Sequence, residues 1–236
     1  MNTLLTEDPR REAYRPADGD RAVLAAAVSS RRSVGPRRDM VRDGEVPAGI
    51  YLMLEGWAVR CRQMRDGSRQ ILAILLPGDV CVDPPGRPLN HAIVTLTPVR
   101  YGVIPYPEFG ETAGQSALVA ALWRGQLEMA SIQREWIANS GRSAHERIAH
   151  FLCELFARAK ACGLTRGDEC DFPLTQQDIA EVTGLTSVHV NRMLQQLRRE
   201  GLIALHARKL VMSDGEGLQQ VALFKRGYLD VGRVQA

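Results

Sequence analysis

The chain has 236 residues, 45% of them hydrophobic and 24% charged, with a formal net charge of +3. That composition excludes a disordered chain and leaves room for one large domain or two small cores. No apolar run approaches the ~18 to 20 residues needed to span a bilayer, the first twenty residues lack a signal peptide's basic-then-apolar layout, and five cysteines without a C-x-x-C speak against a secreted disulfide framework. We therefore expect a cytoplasmic protein with no membrane partner.

Residues 1–20 are polar, contain prolines and show no periodicity, so a flexible arm is expected there. A domain over 21–112 follows. "RAVLAAAVSSR" (21–31) reads as a short helix. "GIYLMLEG", "WAVRCRQM", "SRQILAILL" and "HAIVTLTPVRYGVI" read as strands, with Asp66-Gly67 as a tight turn and "PGD" and "DPPGRP" as breaks. Short strands with regular turn punctuation predict an antiparallel barrel or sandwich.

The period turns helical over 113–140. Leu118, Leu122, Gly125, Met129, Ile132, Trp136 and Asn139 are spaced alternately four and three apart, the seam of a two-stranded coiled coil. A helix this long beside a small β-domain is expected to pair with its twin; a helix lying on its own barrel would show the same spacing. "NSG" (139–141) marks a break, and "SAHERIAHFLCELFARAKA" is a second helix, on which His145 and His150 read as capping or surface residues and Cys153 as core. "CGLTRGDEC" reads as a loop, "DFPL" as a short extended stretch, and the tail 214–236 as holding one short helix.

The chemistry-bearing stretch is "PLTQQDIAEVTGLTSVHVNRML". Thr175 reads as an N-cap with Asp178 closing a capping box, and Leu174 with Ile179 as a hydrophobic staple. Gly184 ends the first helix and Thr186 caps the second. Counting Gln176 as position 1, Ala180 is the small residue at position 5, Gly184 is at 9, and Ile179, Leu185, Val190 and Met193 fill apolar positions 4, 10, 15 and 18. Only Thr183, at position 8, is less apolar than a helix-turn-helix asks. The second helix turns short hydrogen-bonding residues away from the core, as a base-reading helix does in the major groove. Arg192 suits a bidentate pair to guanine, Asn191 an adenine or phosphate, and Val188 a thymine methyl. Ser187 and Gln195 share that face, and Thr175, Gln176, Gln177, Thr186 and His189 complete the expected DNA-binding set. Between Gly184 and Lys209, five Arg or Lys face the single acid Glu200. "LIALHARKLVMS" (202–213) reads as two strands around a basic turn, the wing of a winged helix-turn-helix domain over 141–213, whose His206, Arg208 and Lys209 contact the DNA backbone. A protein-interaction module for signalling is the alternative use of such a helix pair. There is no G-x-S-x-G, P-loop or H-E-x-x-H, so no enzyme is expected.

"LTQQDIAEVTGLTSVHVNRMLQQLRREGLI" and "LEGWAVRCRQMRDGSRQILAILLPGD" together resemble the Crp/Fnr family of bacterial transcription regulators. The resemblance implies an α+β fold: an N-terminal antiparallel β-roll of jelly-roll type, a long dimerisation helix containing Leu118 to Trp136, and a C-terminal winged helix-turn-helix. It implies a homodimer on double-stranded DNA, two half-sites about 34 Å apart on a pseudo-palindromic operator, and RNA polymerase as a partner. The family's base-reading positions fall on Ser187, Val188, Asn191 and Arg192, with Val188 standing where well-known members have Glu. The pairs that hold a cyclic nucleotide in such members fall near Val82 and Asp83 and near Asn90 and His91, so no cyclic AMP is expected. No cysteine precedes Cys61, which argues against an iron–sulfur cluster, and His91 reads as structural rather than as a haem ligand.

Overall fold

A computed structural model describes residues 18–106 and 113–230. The flexible arm expected over 1–20 lies outside the described residues except for its last three, which open a helix instead. That helix, α1 (Asp18–Ala26), is followed by eight strands: β1 (Ser30–Val34), β2 (Asp39–Val41), β3 (Ile50–Glu55), β4 (Ala58–Gln63), β5 (Arg69–Leu75), β6 (Val80–Cys81), β7 (Ala92–Thr95) and β8 (Val99–Ile104). They form two antiparallel four-stranded sheets, ordered β1-β8-β3-β6 and β2-β7-β4-β5. Tyr51, Met53, Ala58, Ala73 and Ile93 meet between them, the aligned two-layer core of a β-roll.

Two expectations change here. "RAVLAAAVSSR" is helical only to Ala26, because Ser30–Val34 pairs with β8 as an edge strand; its mostly exposed, charged residues carry no alternation to reveal it. "HAIVTLTPVRYGVI" is two strands in different sheets. The chain crosses over at Leu96–Pro98, where the Trp57 carbonyl accepts from the Leu96 and Thr97 N–H groups (2.7 and 3.3 Å) and proline has no N–H for a ladder.

Helix α2 (Ala113–Asn139) lies along this roll. Ala121 and Leu122 pack with Ile50, Leu52, Val80 and Ile104. Met129 joins the core between the sheets, Ile132 meets Leu229, and Trp136 packs against Phe151. A Cβ on Gly125 would lie 2.6 Å from Val80 Cγ2, so only glycine lets the helix come this close. Of the predicted seam, Leu122, Met129 and Ile132 are buried within the chain itself, while Leu118, Gly125 and Trp136 are half-buried. Among the described residues, the large apolar side chains that α2 leaves in solvent are Val119, Trp123 and Ile137, at 44%, 64% and 73% exposure.

Beyond α2 come α3 (Ala144–Ala161), β9 (Thr165–Arg166), β10 (Glu169–Asp171), α4 (Gln176–Thr183), α5 (Ser187–Arg199), β11 (Ala204–His206), β12 (Lys209–Val211), α6 (Gly215–Val221) and a 3₁₀ turn at Arg226–Leu229. The segment "CGLTRGDEC", expected as a loop, is mostly a hairpin, and the winged sheet runs β11-β12-β10-β9. The tail is part of this core: Leu218, Ala222 and Leu229 are buried. His150 is also a correction. It is buried, not on the surface, stacked on Tyr228 and edge-on to Phe224. One apolar cluster joins Trp57, Ile71 and Ile74 of the roll to Ile148, Phe151 and Leu155 of α3. The roll and the C-terminal unit therefore share a core.

Candidate nucleic-acid interface

The helix pair is built by local chemistry. Thr175 is extended (φ −84°), and its hydroxyl accepts the Asp178 N–H while the Asp178 carboxylate accepts the Thr175 N–H at 2.9 Å. This reciprocal cap satisfies two N–H groups that a helix start leaves open. Leu174 and Ile179 share one core cluster. Gly184 ends α4 at φ +67°, where a side chain would be strained. Thr186 then caps α5 by accepting from the His189 N–H at 3.2 Å. Ala180 is buried at the crossing, and Val190, Leu194 and Leu197 form the inner face of α5. Thr183 fits its apolar slot because its hydroxyl donates to the Ile179 carbonyl (2.7 Å), hiding the polar group within the helix.

The outer face carries the predicted set. Gln176, Gln177, Thr186, Val188, Arg192 and Gln195 are exposed, while Ser187, His189 and Asn191 are half-buried. Val188 is 77% exposed, so no packing among the described residues explains an apolar residue there. Gln176 Nε2 donates to Asn191 Oδ1 at 3.1 Å, which ties the start of α4 to the middle of α5. The Thr175 hydroxyl differs: it donates to Asp178 Oδ2 at 2.7 Å and is occupied within the cap. Arg192 pairs with no other described residue, and Arg198 and Arg199 continue the basic edge.

At the wing, β11 and β12 are joined by two residues, Ala207 (φ +47°) and Arg208 (φ +61°). Consecutive positive φ values define a type I′ hairpin turn, which ordinarily takes Asn or Gly. An Ala-Arg pair costs roughly 1 to 2 kcal/mol per residue in this region. That strain places the Arg208 guanidinium at an exposed tip, with His206 exposed beside it. Lys209 is paired to the Glu169 carboxylate, so its charge is partly neutralised.

The second candidate region is inside the roll. Arg60 Nη2 lies 3.5 Å from Asp83 Oδ2, and His91 Nε2 lies 3.7 Å from Asp83 Oδ1, all three largely buried. Burial first, then the Arg60 charge, pushes the His91 pKa down. Arg87 is exposed on the loop. Among the described residues, no cluster of His, Cys, Asp and Glu is arranged to hold a metal ion, and no helix is long and apolar enough to cross a membrane.

Two family profiles match. One described as a Crp-like helix-turn-helix domain covers residues 146–221, and one described as a cyclic nucleotide-binding domain covers residues 31–116. The nitrogen fixation regulation protein FixK of Azorhizobium caulinodans is 30% identical over 215 residues, 89% of this chain and 84% of the relative. The transcriptional activator protein FnrL of Cereibacter sphaeroides is 26% identical over 83% of this chain and 81% of its own. The structure of FixK2 from Bradyrhizobium japonicum superposes with a TM-score of 0.72 at 25% identity, over 81% of this chain and 96% of that one.

Proposed function

Because this chain belongs to the Crp/Fnr family and is a DNA-binding transcription regulator, we propose that it binds a pseudo-palindromic operator as a homodimer, reading one half-site with each α5. The observation that carries this reading is the outer face of α5, where Arg192 and Val188 stand exposed without a partner among the described residues. Arg192 pairs with guanine, Val188 packs on a thymine methyl, and Ser187, Asn191 and Gln195 supply the remaining polar contacts. Gln176, Gln177, Thr186 and His189 approach the flanking backbone from the helix starts, and His206, Arg208 and Lys209 approach it from the wing.

The dimer forms along α2 through Val119, Trp123 and Ile137, the apolar stripe the roll leaves uncovered. Leu118, Leu122, Gly125 and Met129 hold the same helix to its own roll, and Ile132 and Trp136 hold it to the C-terminal unit. Several relatives carry "activator" or "activatory" in their names, which supports a contact with RNA polymerase made from the roll.

The residues inside the roll do not fit a cyclic nucleotide. A cyclic phosphate asks for an uncommitted cation, and the buried cation here, Arg60, faces Asp83. Asp83 would also repel the phosphate.

Arg192→Ala tests the operator reading. A gel-shift titration is expected to show a loss of about 1 to 3 kcal/mol and relaxed preference at one base pair. Binding equal to that of the unaltered chain overturns the assignment.

A further inference from the structure

We propose that Arg37 and Arg69 of the β-roll are positioning residues for DNA reading, fixing the orientation of the helix-turn-helix by clasping Asp178 and Glu181 on α4. Asp178 is 1% exposed, yet it closes the cap of α4 and so cannot be replaced by an apolar residue without loosening the helix start. Its charge is balanced from across the domain boundary. Arg37 Nη1 and Nη2 donate to Oδ1 and Oδ2 at 3.1 and 2.9 Å, a bidentate pair, and Nη2 reaches the Pro173 carbonyl at 3.4 Å. Arg69 Nη2 donates to Asp178 Oδ1 at 2.8 Å and its Nε to Glu181 Oε2 at 2.6 Å. Gln70 adds a hydrogen bond from its side chain to the Glu181 carbonyl. The two guanidiniums thus face two carboxylates on consecutive turns of one short helix, and fork-shaped pairs fix direction as well as distance.

The backbone is arranged for this contact. Arg37 sits at φ +56°, a left-handed conformation uncommon for a side-chain-bearing residue. Its N–H is held by the Thr95 carbonyl at 2.9 Å. Arg69 opens β5, directly beneath α4. A second attachment lies at the far end of the same boundary, where buried Arg158 on α3 donates to the Ile74 carbonyl (2.7 Å) and to Asp79 Oδ2 (2.9 Å). The apolar core and Arg158 hold α3, and the clasp sets the rotation of α4 and α5 about it.

The consequence rests on the operator reading above. Two recognition helices must meet half-sites at one spacing, about 34 Å. A unit that swings must be ordered on binding, and one aligned about a tenth of the time weakens apparent affinity about tenfold. The clasp keeps it aligned beforehand.

The test uses the full chain, unaltered or as R37A/R69A or R37K/R69K. Each is titrated by fluorescence anisotropy against three duplexes: a single half-site, the full operator selected from genomic DNA, and that operator with its half-sites moved three base pairs apart. R37A/R69A is expected to bind the single half-site within about twofold of the unaltered chain, to lose about tenfold on the full operator, and to lose its preference for natural spacing. R37K/R69K, which keeps both charges, is expected to retain most of both. Unchanged affinity and spacing preference in R37A/R69A overturn the proposal alone, as does tighter binding. An equal loss on the single half-site also overturns it, because that places the arginines in the fold of the helix pair and not in its aim. An unaltered chain that binds half-site and operator alike overturns the operator reading itself, and the proposal with it.

Discussion

His150 shows how burial decides a residue's chemistry. Its Nε2 lies 3.3 Å from Glu135 Oε1, but the ring is enclosed by Phe224 and Tyr228 (centroids 5.3 and 5.8 Å). Burial, and secondarily the Arg142 charge, pushes its pKa down to about 4. Below the ordinary histidine value of 6.5 the unfolded chain takes up a proton that the folded one refuses, so this residue costs stability as pH falls from 6.5 toward 4. Glu154 acts in the opposite sense: burial raises it to about 7, so its cost appears as pH rises above 4.5. The informative quantity is therefore a difference. His150→Phe is expected to gain about 2 kcal/mol on the unaltered chain between pH 7 and pH 5 in urea unfolding; a constant gap between the two proteins would show that His150 is charged in the fold. At this scale legibility follows sequence distance. Thr175, Gly184 and Thr186 were readable because a cap is made with residues three or four positions away. His150 was not, because Phe224 and Tyr228 reach it from the end of the chain.

Among the elements, α2 carries the sharpest contrast. A spacing of four and three says that a helix has an apolar stripe, and a twin or a barrel satisfies it equally well. The structure assigns Leu122 and Met129 to the barrel, sets Ile132 against Leu229 of the C-terminal turn, and leaves Trp123 and Ile137 outside. Trp123→Glu with Ile137→Glu is expected to give a folded monomer by sedimentation velocity, with a melting temperature set only by the loss of the partner. Ile132→Ala is expected to cost about 2 to 5 kcal/mol while the protein stays dimeric. Dimers surviving the first change would move the contact elsewhere. The hairpin of β9 and β10 is hidden in the sequence for another reason. "TRGDEC" has neither the alternation nor the β-branched content of a strand, and forms one only because β12 is there to pair with.

At the scale of the whole molecule, the shared apolar cluster predicts one unfolding event. Trp57 in the roll and Ile148 on α3 belong to the same core, so tryptophan fluorescence and far-ultraviolet circular dichroism are expected to trace coincident urea transitions; two separated midpoints would show independent units. Segment order along the chain gave the sequence of parts but not this joint, because Arg37 and Asp178, or Ile74 and Arg158, carry no mark of each other in the linear text. The joint limits what can be exchanged. The carboxylate that starts α4 also receives two arginines from another part of the molecule, so the helix pair is not an interchangeable cartridge. A chimera that grafts a relative's DNA-reading segment onto this roll would inherit Arg37 and Arg69 with nothing to grip unless the graft brought matching carboxylates, and new operator choice must therefore be engineered on the outward face of α5 alone.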